Sequence, residues 1–259
     1  MVDFHSHILY AVDDGSESFE MSVSMVELSL REGVTVMALT PHHVPGQFEV
    51  DPKEYEEKFE RLKQHFEGRM ELVPAMEIMV EPHLLEKLQS GRLFGYNRSK
   101  TLLVEFDLLD YPLYSEKLFY DLRKLGYQVI LAHPERNRML RNDPEKVYHL
   151  IDLGVLCQLN AGSLQGHFGE KTRVFAEKLI EKNLIHAVGS DGHNDTSRNT
   201  RIRYAYDRIH KLNPQLHTFL LESGPSLIHG EVPEILDYLP WEEHSPVKKN
   251  KSWLSKLWK

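Results

Sequence analysis

The chain has 259 residues, 41% hydrophobic and 27% charged, which is the composition of an ordinary globular domain. A net charge of −8 argues against a general nucleic-acid binder, and the single cysteine excludes a disulfide framework and fits a reducing cytoplasm. No run reaches the roughly 18–20 apolar residues of a membrane span, and the start carries no leader pattern, so a cytoplasmic location is expected.

In chain order, Val2–His5 is the first candidate strand. Val2, Phe4 and Ile8 interleave with Asp3, His5 and His7, and period-two alternation puts His5 and His7 on the same side. Further strands are expected at Val34–Thr40, Glu71–Ile78, Leu102–Phe106, Gln128–Ala132, Val155–Leu159 and His186–Ser190. Amphipathic segments of helical period separate them. Asp51-Pro52 and Asp143-Pro144 read as N-cap and N1 pairs, and Gly33, Gly68, Gly126 and Gly154 sit where helices end. Seven β-then-α units imply parallel strands joined by crossovers. A single seven-stranded α/β barrel is the expected architecture, with an open doubly wound sheet as its rival. From Val247 the sequence "VKKNKSWLSKLWK" carries five lysines and no acid. It reads as a solvated tail or as a basic amphipathic segment that meets an anionic membrane or a partner.

The strand ends carry the chemistry. After His5 and His7 come His42 and His43 in "TPHH", Glu77 in "AMEI", Glu105 in "VEFD", His133 in "LAHPERNR", and Asp191 with His193 in "GSDGHN". In a parallel barrel these ends gather at one mouth. A carboxylate in an apolar strand is costly without a positive partner, so Glu77 and Glu105 point to a cation. The donors are nitrogen and oxygen without thiolate, which suits Mn²⁺, Fe or Zn²⁺. Their number exceeds what one ion takes, so two or three ions are expected, with Asp13 or Asp14 of "VDDG" within reach. Clustered cations suit phosphoryl displacement. Arg136 and Arg198 follow closely on His133 and His193, and guanidinium forks bind phosphate oxygens. Cys157 sits inside a strand pattern and lacks the arginine a cysteine phosphatase needs six residues on, so it reads as core.

In order and spacing, "DFHSHIL…DDG", "TPHH", "MEI", "VEF", "HPERNR" and "SDGHN…SRN" resemble the manganese-dependent PHP-domain protein-tyrosine phosphatases of bacterial capsule and exopolysaccharide operons, the CpsB/YwqE type. The likeness covers residues 1 to about 230. It implies a distorted (β/α)7 barrel of PHP type; a single catalytic domain is expected over residues 1–246, and the basic, tryptophan-containing tail 247–259 lies outside the shared core. It implies a cytoplasmic enzyme with a trinuclear manganese site, Fe or Zn²⁺ being alternatives. The implied substrate is the phosphotyrosine-containing tail of a cognate bacterial tyrosine kinase, with no nucleic-acid partner. By the same resemblance His5, His7, Glu77 and Asp191 surround the first metal. Glu77 bridges to a second that Glu105 and His133 complete, and Asp14, His42 and His193 hold the third. Arg136 and Arg198 match the phosphate-binding arginines, and His43 has a place only in an outer layer or toward substrate. A histidinol-phosphate phosphatase is the alternative activity, and a non-catalytic kinase-docking module the alternative of another class. An amidohydrolase would usually place a lysine between its metals, and strand four ends in Glu105 instead.

Overall fold

The computed structural model describes residues 1–241, and the expectation for the tail from Val247 lies outside the described residues. The elements run in order: β1 Val2–Asp3, α1 Phe19–Glu32, β2 Val36–Leu39, β3 His42–His43, α2 Pro52–His65, β4 Glu71–Pro74, β5 Glu77–Met79 and α3 Leu84–Gln89. They continue with β6 Thr101–Glu105, α4 Ser115–Lys124, β7 Gln128–Ala132, α5 Arg138–Asn142, α6 Glu145–Asp152, β8 Leu156–Asn160, α7 Ala161–Leu164, α8 Glu170–Glu181, β9 Ala187–Gly189, α9 Arg203–Leu212 and α10 Pro214–Ile228.

Local signals account for the helix ends. Ser18 accepts from the Met21 amide and Gly33 closes α1 in the left-handed region, while Asp51 accepts from Lys53 and Glu54 ahead of Pro52. Asp143-Pro144 differs from expectation. Asp143 makes no cap there, and α6 begins one residue after the proline without a side-chain cap.

All strand pairs are parallel, in two sheets ordered β1-β2-β4 and β3-β5-β6-β7-β8-β9. The expected count of seven is therefore not what the strands show. The run Val34–Thr40 holds only β2, with β3 following as a separate short strand, and Glu71–Ile78 is divided into β4 and β5. Pro41 lies in the first gap, where it has no N–H to give a ladder, and the second opens directly after Pro74. The fully buried Tyr55 of α2 fills this seam. Its hydroxyl lies 3.2 Å from Leu39 O and 3.0 Å from Ala75 O, and the Ala75 amide lies 3.1 Å from it. Tyr55→Phe leaves a buried carbonyl short of a donor and is expected to cost about 1–2 kcal/mol. A lower urea midpoint with unchanged slope is the measurement that checks it.

Side chains alternate along each strand between two apolar clusters. Leu102 and Val104, with Val129 and Leu131, pack outward under the helices, while Leu103, Ile130 and Leu156 join Val2, Phe4 and Ala38 in an inner cluster. The inner stripes change character along the strand. Ala75 is followed by Glu77, Leu103 by Glu105, and Leu156 by Gln158 and Asn160, each two residues on. Apolar residues thus fill the inside at the N-terminal ends, and polar ones collect at the C-terminal mouth. No described helix is long and apolar enough to cross a membrane.

Candidate metal centre

The mouth brings together His5, His7, Asp14, His42, Glu77, Glu105, His133, Asp191 and His193. His5 Nε2 and His7 Nε2 stand 3.1 Å apart, and Glu77 Oε2 lies 3.1 Å from the first and 3.3 Å from the second. Asp191 Oδ1 is 3.3 Å from His7 Nε2 and 3.7 Å from His5 Nε2. His42 Nδ1 lies 2.9 Å from Glu77 Oε2 and 3.1 Å from Glu105 Oε1, and His133 Nε2 is 2.9 Å from Glu77 Oε1. Asp14 Oδ1 lies 3.5 Å from His42 Nε2 and 3.4 Å from His193 Nε2. Three sets of mutually close donor atoms result: His5–His7–Glu77, His42–Glu77–Glu105 and His7–Asp14–His42–His193.

The ring nitrogens turned away from the centre decide what the inner ones can do. His5 Nδ1 lies 3.0 Å from Gln158 Oε1, whose amide is oriented by Nε2 donating to Leu159 O at 2.7 Å. His7 Nδ1 lies 2.8 Å from Asp13 Oδ2, an acceptor only. Both Nδ1 atoms are therefore donors, and in the neutral rings both Nε2 lone pairs face each other among carboxylate oxygens. His42 Nδ1, Glu77 Oε2 and Glu105 Oε1 are buried without a hydrogen bond despite separations near 3 Å, so a ring nitrogen and two carboxylate oxygens converge on one point. Such a donor set fits divalent cations.

Within the protein alone, positive charge on the imidazoles balances these acids. Burial pushes the Glu77 carboxyl up, but His5, His42 and His133 outweigh it and hold it well below the usual range. Burial opposes charge on His42 as well, yet Glu77 and Glu105 lift it to about 10. A metal replaces such protons, so binding releases them.

Backbone strain helps aim two of the clustered side chains. His133 (φ +34°) and Asp191 (φ +51°) lie in the left-handed region, which non-glycine residues adopt at about 1–3 kcal/mol each where surroundings over-determine them. The "VDDG" turn sends its neighbouring acids in different directions. Asp13 faces outward from the centre, accepting from the Gly15 and His42 amides and from His7, while Asp14 reaches His42 and His193.

The arginines stand at the rim of the same cluster. Arg136 Nη1 donates to Asp191 Oδ2 at 2.5 Å, and Arg198 Nη2 lies 3.3 Å from the same oxygen. Arg198 Nε is buried without an acceptor. Arg138 is exposed, and Arg141 is tied to the backbone, donating to the carbonyls of Glu135 and Arg136. His43 does not join the cluster. As the neighbour of His42 in β3 it points to the other face, where its charged neighbours are Lys87, Glu49 and Glu81. Cys157 is buried in the core, and burial pushes its thiol up, away from nucleophilic use.

The sequence profile of the family described as capsular polysaccharide synthesis, CpsB/CapC, matches residues 1–222. The chain belongs to the CpsB/CapC family. It is 35% identical over 235 residues to the tyrosine-protein phosphatase YwqE of Bacillus subtilis, covering 89% of this chain and 92% of that protein. It is 32% identical over 219 residues to the tyrosine-protein phosphatase CpsB of Streptococcus pneumoniae, covering 82% and 90%. A crystal structure from work on YwqE and CpsB, described as unique metal-dependent tyrosine phosphatases, superposes with a TM-score of 0.88. It is 34% identical and covers 93% of this chain and 99% of that one. Histidinol phosphate phosphatase from Lactococcus lactis, solved with zinc, L-histidinol and phosphate, shares the fold at 15% identity and a TM-score of 0.53, over 82% and 92% of the two chains.

For a CpsB/CapC chain, the residues that sequence reading missed are amides and a turn. Gln158 and Asn160 lie at the end of the expected strand Val155–Leu159, which offers no His, Asp or Glu there. Gln158 orients His5, and Asn160 Nδ2 donates to Asp191 Oδ2 at 2.7 Å. Two inward-facing amides in an apolar strand were the available signal.

Proposed function

We propose that this chain is a metal-dependent protein-tyrosine phosphatase that acts in the cytoplasm on the phosphotyrosine tail of a cognate bacterial tyrosine kinase in capsule or exopolysaccharide synthesis. The observation that carries this reading is the pair of facing Nε2 atoms of His5 and His7 among buried carboxylates, with two arginines beside them. The catalytic unit is taken as residues 1–246. Its strands are read as seven paths around a barrel, a reading supported by the Phe4 amide donating to Val188 O at 3.0 Å between β1 and β9.

Mn²⁺ is the proposed resident ion. His5, His7, Glu77 and Asp191 would hold the first ion, Glu77, Glu105 and His133 the second, and Asp14, His42 and His193 the third. When bound, the ions supply an activated water and offset charge on the phosphate oxygens. Gln158 and Asp13 keep His5 and His7 turned inward. Arg136 and Arg198 present N–H forks to the phosphate and neutralise charge that shifts toward the leaving oxygen. A tyrosine phenolate leaves readily, with a pKa near 10, so a strong general acid is not required. That agrees with His43 facing away.

The test is release of phosphate from a phosphotyrosine peptide and from p-nitrophenyl phosphate, with and without Mn²⁺, beside His5→Ala. Manganese-dependent release that vanishes in the variant is expected. Turnover of alkyl phosphates alone would move the assignment to a small-molecule phosphatase. Arg136→Ala is expected to raise KM about tenfold or more with manganese content unchanged, since a charge-assisted contact is lost and no ligand is. Loss of manganese in that variant would make Arg136 structural.

A further inference from the structure

The β8 end contributes no ionisable side chain, yet the segment after it, "NAGSLQGHFG", wraps the phosphate arginine. The Phe168 ring centroid lies 4.1 Å from the Arg136 guanidinium carbon, an aromatic face against a cation. The ring is held there by its own loop. The His167 amide donates to Gly162 O at 3.2 Å, the Gly166 amide to Ser163 O at 3.1 Å, and the Gly169 amide to Gly166 O at 3.0 Å. A Cβ at Gly162 would stand 3.1 Å from His167 Nδ1 and 3.4 Å from Phe168 Cε2, so the loop lies directly against that residue.

The loop is in turn tied to Arg136 through the backbone. Glu135, fully buried, accepts from the Asn160 amide at 3.0 Å and from Ser163 Oγ at 2.7 Å, which fixes α7 to the residue preceding Arg136. Arg141 Nη1 holds Arg136 O at 2.5 Å. On its other side the guanidinium meets Asp191, on the same Oδ2 that Asn160 Nδ2 binds. An arginine side chain is long and loses much rotamer freedom when a ligand fixes it. A ring face packed on the guanidinium removes that freedom beforehand and spares the N–H groups that Asp191 does not take for an oxyanion.

We propose that Phe168 is a positioning residue that presets Arg136 for the substrate's phosphate through its stacked ring. This rests on the reading of Arg136 as a phosphate-binding group. The experiment uses the full chain loaded with manganese, carrying Phe168→Leu, Phe168→Tyr, Arg136→Ala, and Phe168→Leu with Arg136→Ala. KM and kcat for p-nitrophenyl phosphate, inhibition by inorganic phosphate and bound manganese are measured, with a thermal melt to confirm folding. Phe168→Leu is expected to raise KM and the phosphate inhibition constant about fivefold with kcat and manganese little changed. Phe168→Tyr keeps the stacked face and restores both values, and the leucine change has no further effect once Arg136 is alanine. An unchanged KM, an equal loss with tyrosine, an additive double variant or a fall in manganese would each overturn the proposal. If Arg136→Ala itself leaves KM and phosphate inhibition untouched in an active enzyme, the phosphate-binding reading fails instead.

Discussion

Glu77→Gln is expected to reduce manganese-dependent hydrolysis by at least ~100-fold, the upper end of what disturbing even an outer partner of a metal site costs. The substitution keeps the shape of the side chain, so packing of the fully buried position is preserved. What changes is charge and donor character. Oε2 lies 3.1, 3.3 and 2.9 Å from His5, His7 and His42, and Oε1 lies 2.9 Å from His133. An amide there offers one neutral oxygen and one NH₂ to four imidazoles arranged around a carboxylate. Bound manganese measured per chain should fall, and the rise in melting temperature on adding manganese should shrink, because a ligand that binds only the folded state stabilises in proportion to its affinity. A fully active Glu77→Gln enzyme would remove Glu77 from the centre.

Gly15→Ala is expected to weaken metal binding by about 10–100-fold although residue 15 bears no donor. A Cβ there would lie 2.3 Å from His7 O and 2.4 Å from His7 Cβ, contacts with backbone and its attached carbon that no rotamer change relieves. The turn must move away from His7. Asp13 then leaves His7 Nδ1, and Asp14 leaves His42 and His193. The measurement is the manganese concentration that gives half-maximal activity, with circular dichroism as the control for folding. Wild-type manganese dependence in this variant would show that the turn yields without disturbing the acids.

The alternation of strands and helices was legible because the apolar runs are β-branched, short and bounded by caps such as Asp51-Pro52 and Gly33. The two seams were not. Pro41 directly follows the run Val34–Thr40 and Pro74 lies inside the run Glu71–Ile78, and the group that closes the break, the Tyr55 hydroxyl, comes from a helix. The ionisable residues of the centre were visible for an energetic reason, since Glu77 and Glu105 are too costly in apolar strands to be incidental. Gln158 and Asn160 are neutral, carry a smaller burial cost than a carboxylate, and passed as ordinary strand residues. The roles of Asp13 and Asp14 depend on a turn whose direction is set by Gly15 against His7, a contact between backbones that composition does not encode. His43 was adjacent to His42 in sequence and on the opposite face in space.

The change from apolar to polar along each inner stripe has an evolutionary consequence. Packing and chemistry occupy different heights in the same strands, so substitutions at Glu105, Gln158 or Asn160 act one step above Leu103 and Leu156 rather than within the layer those residues fill. The reactive rim can therefore change while the foundation stays, and the same architecture occurs in a histidinol phosphate phosphatase at 15% identity.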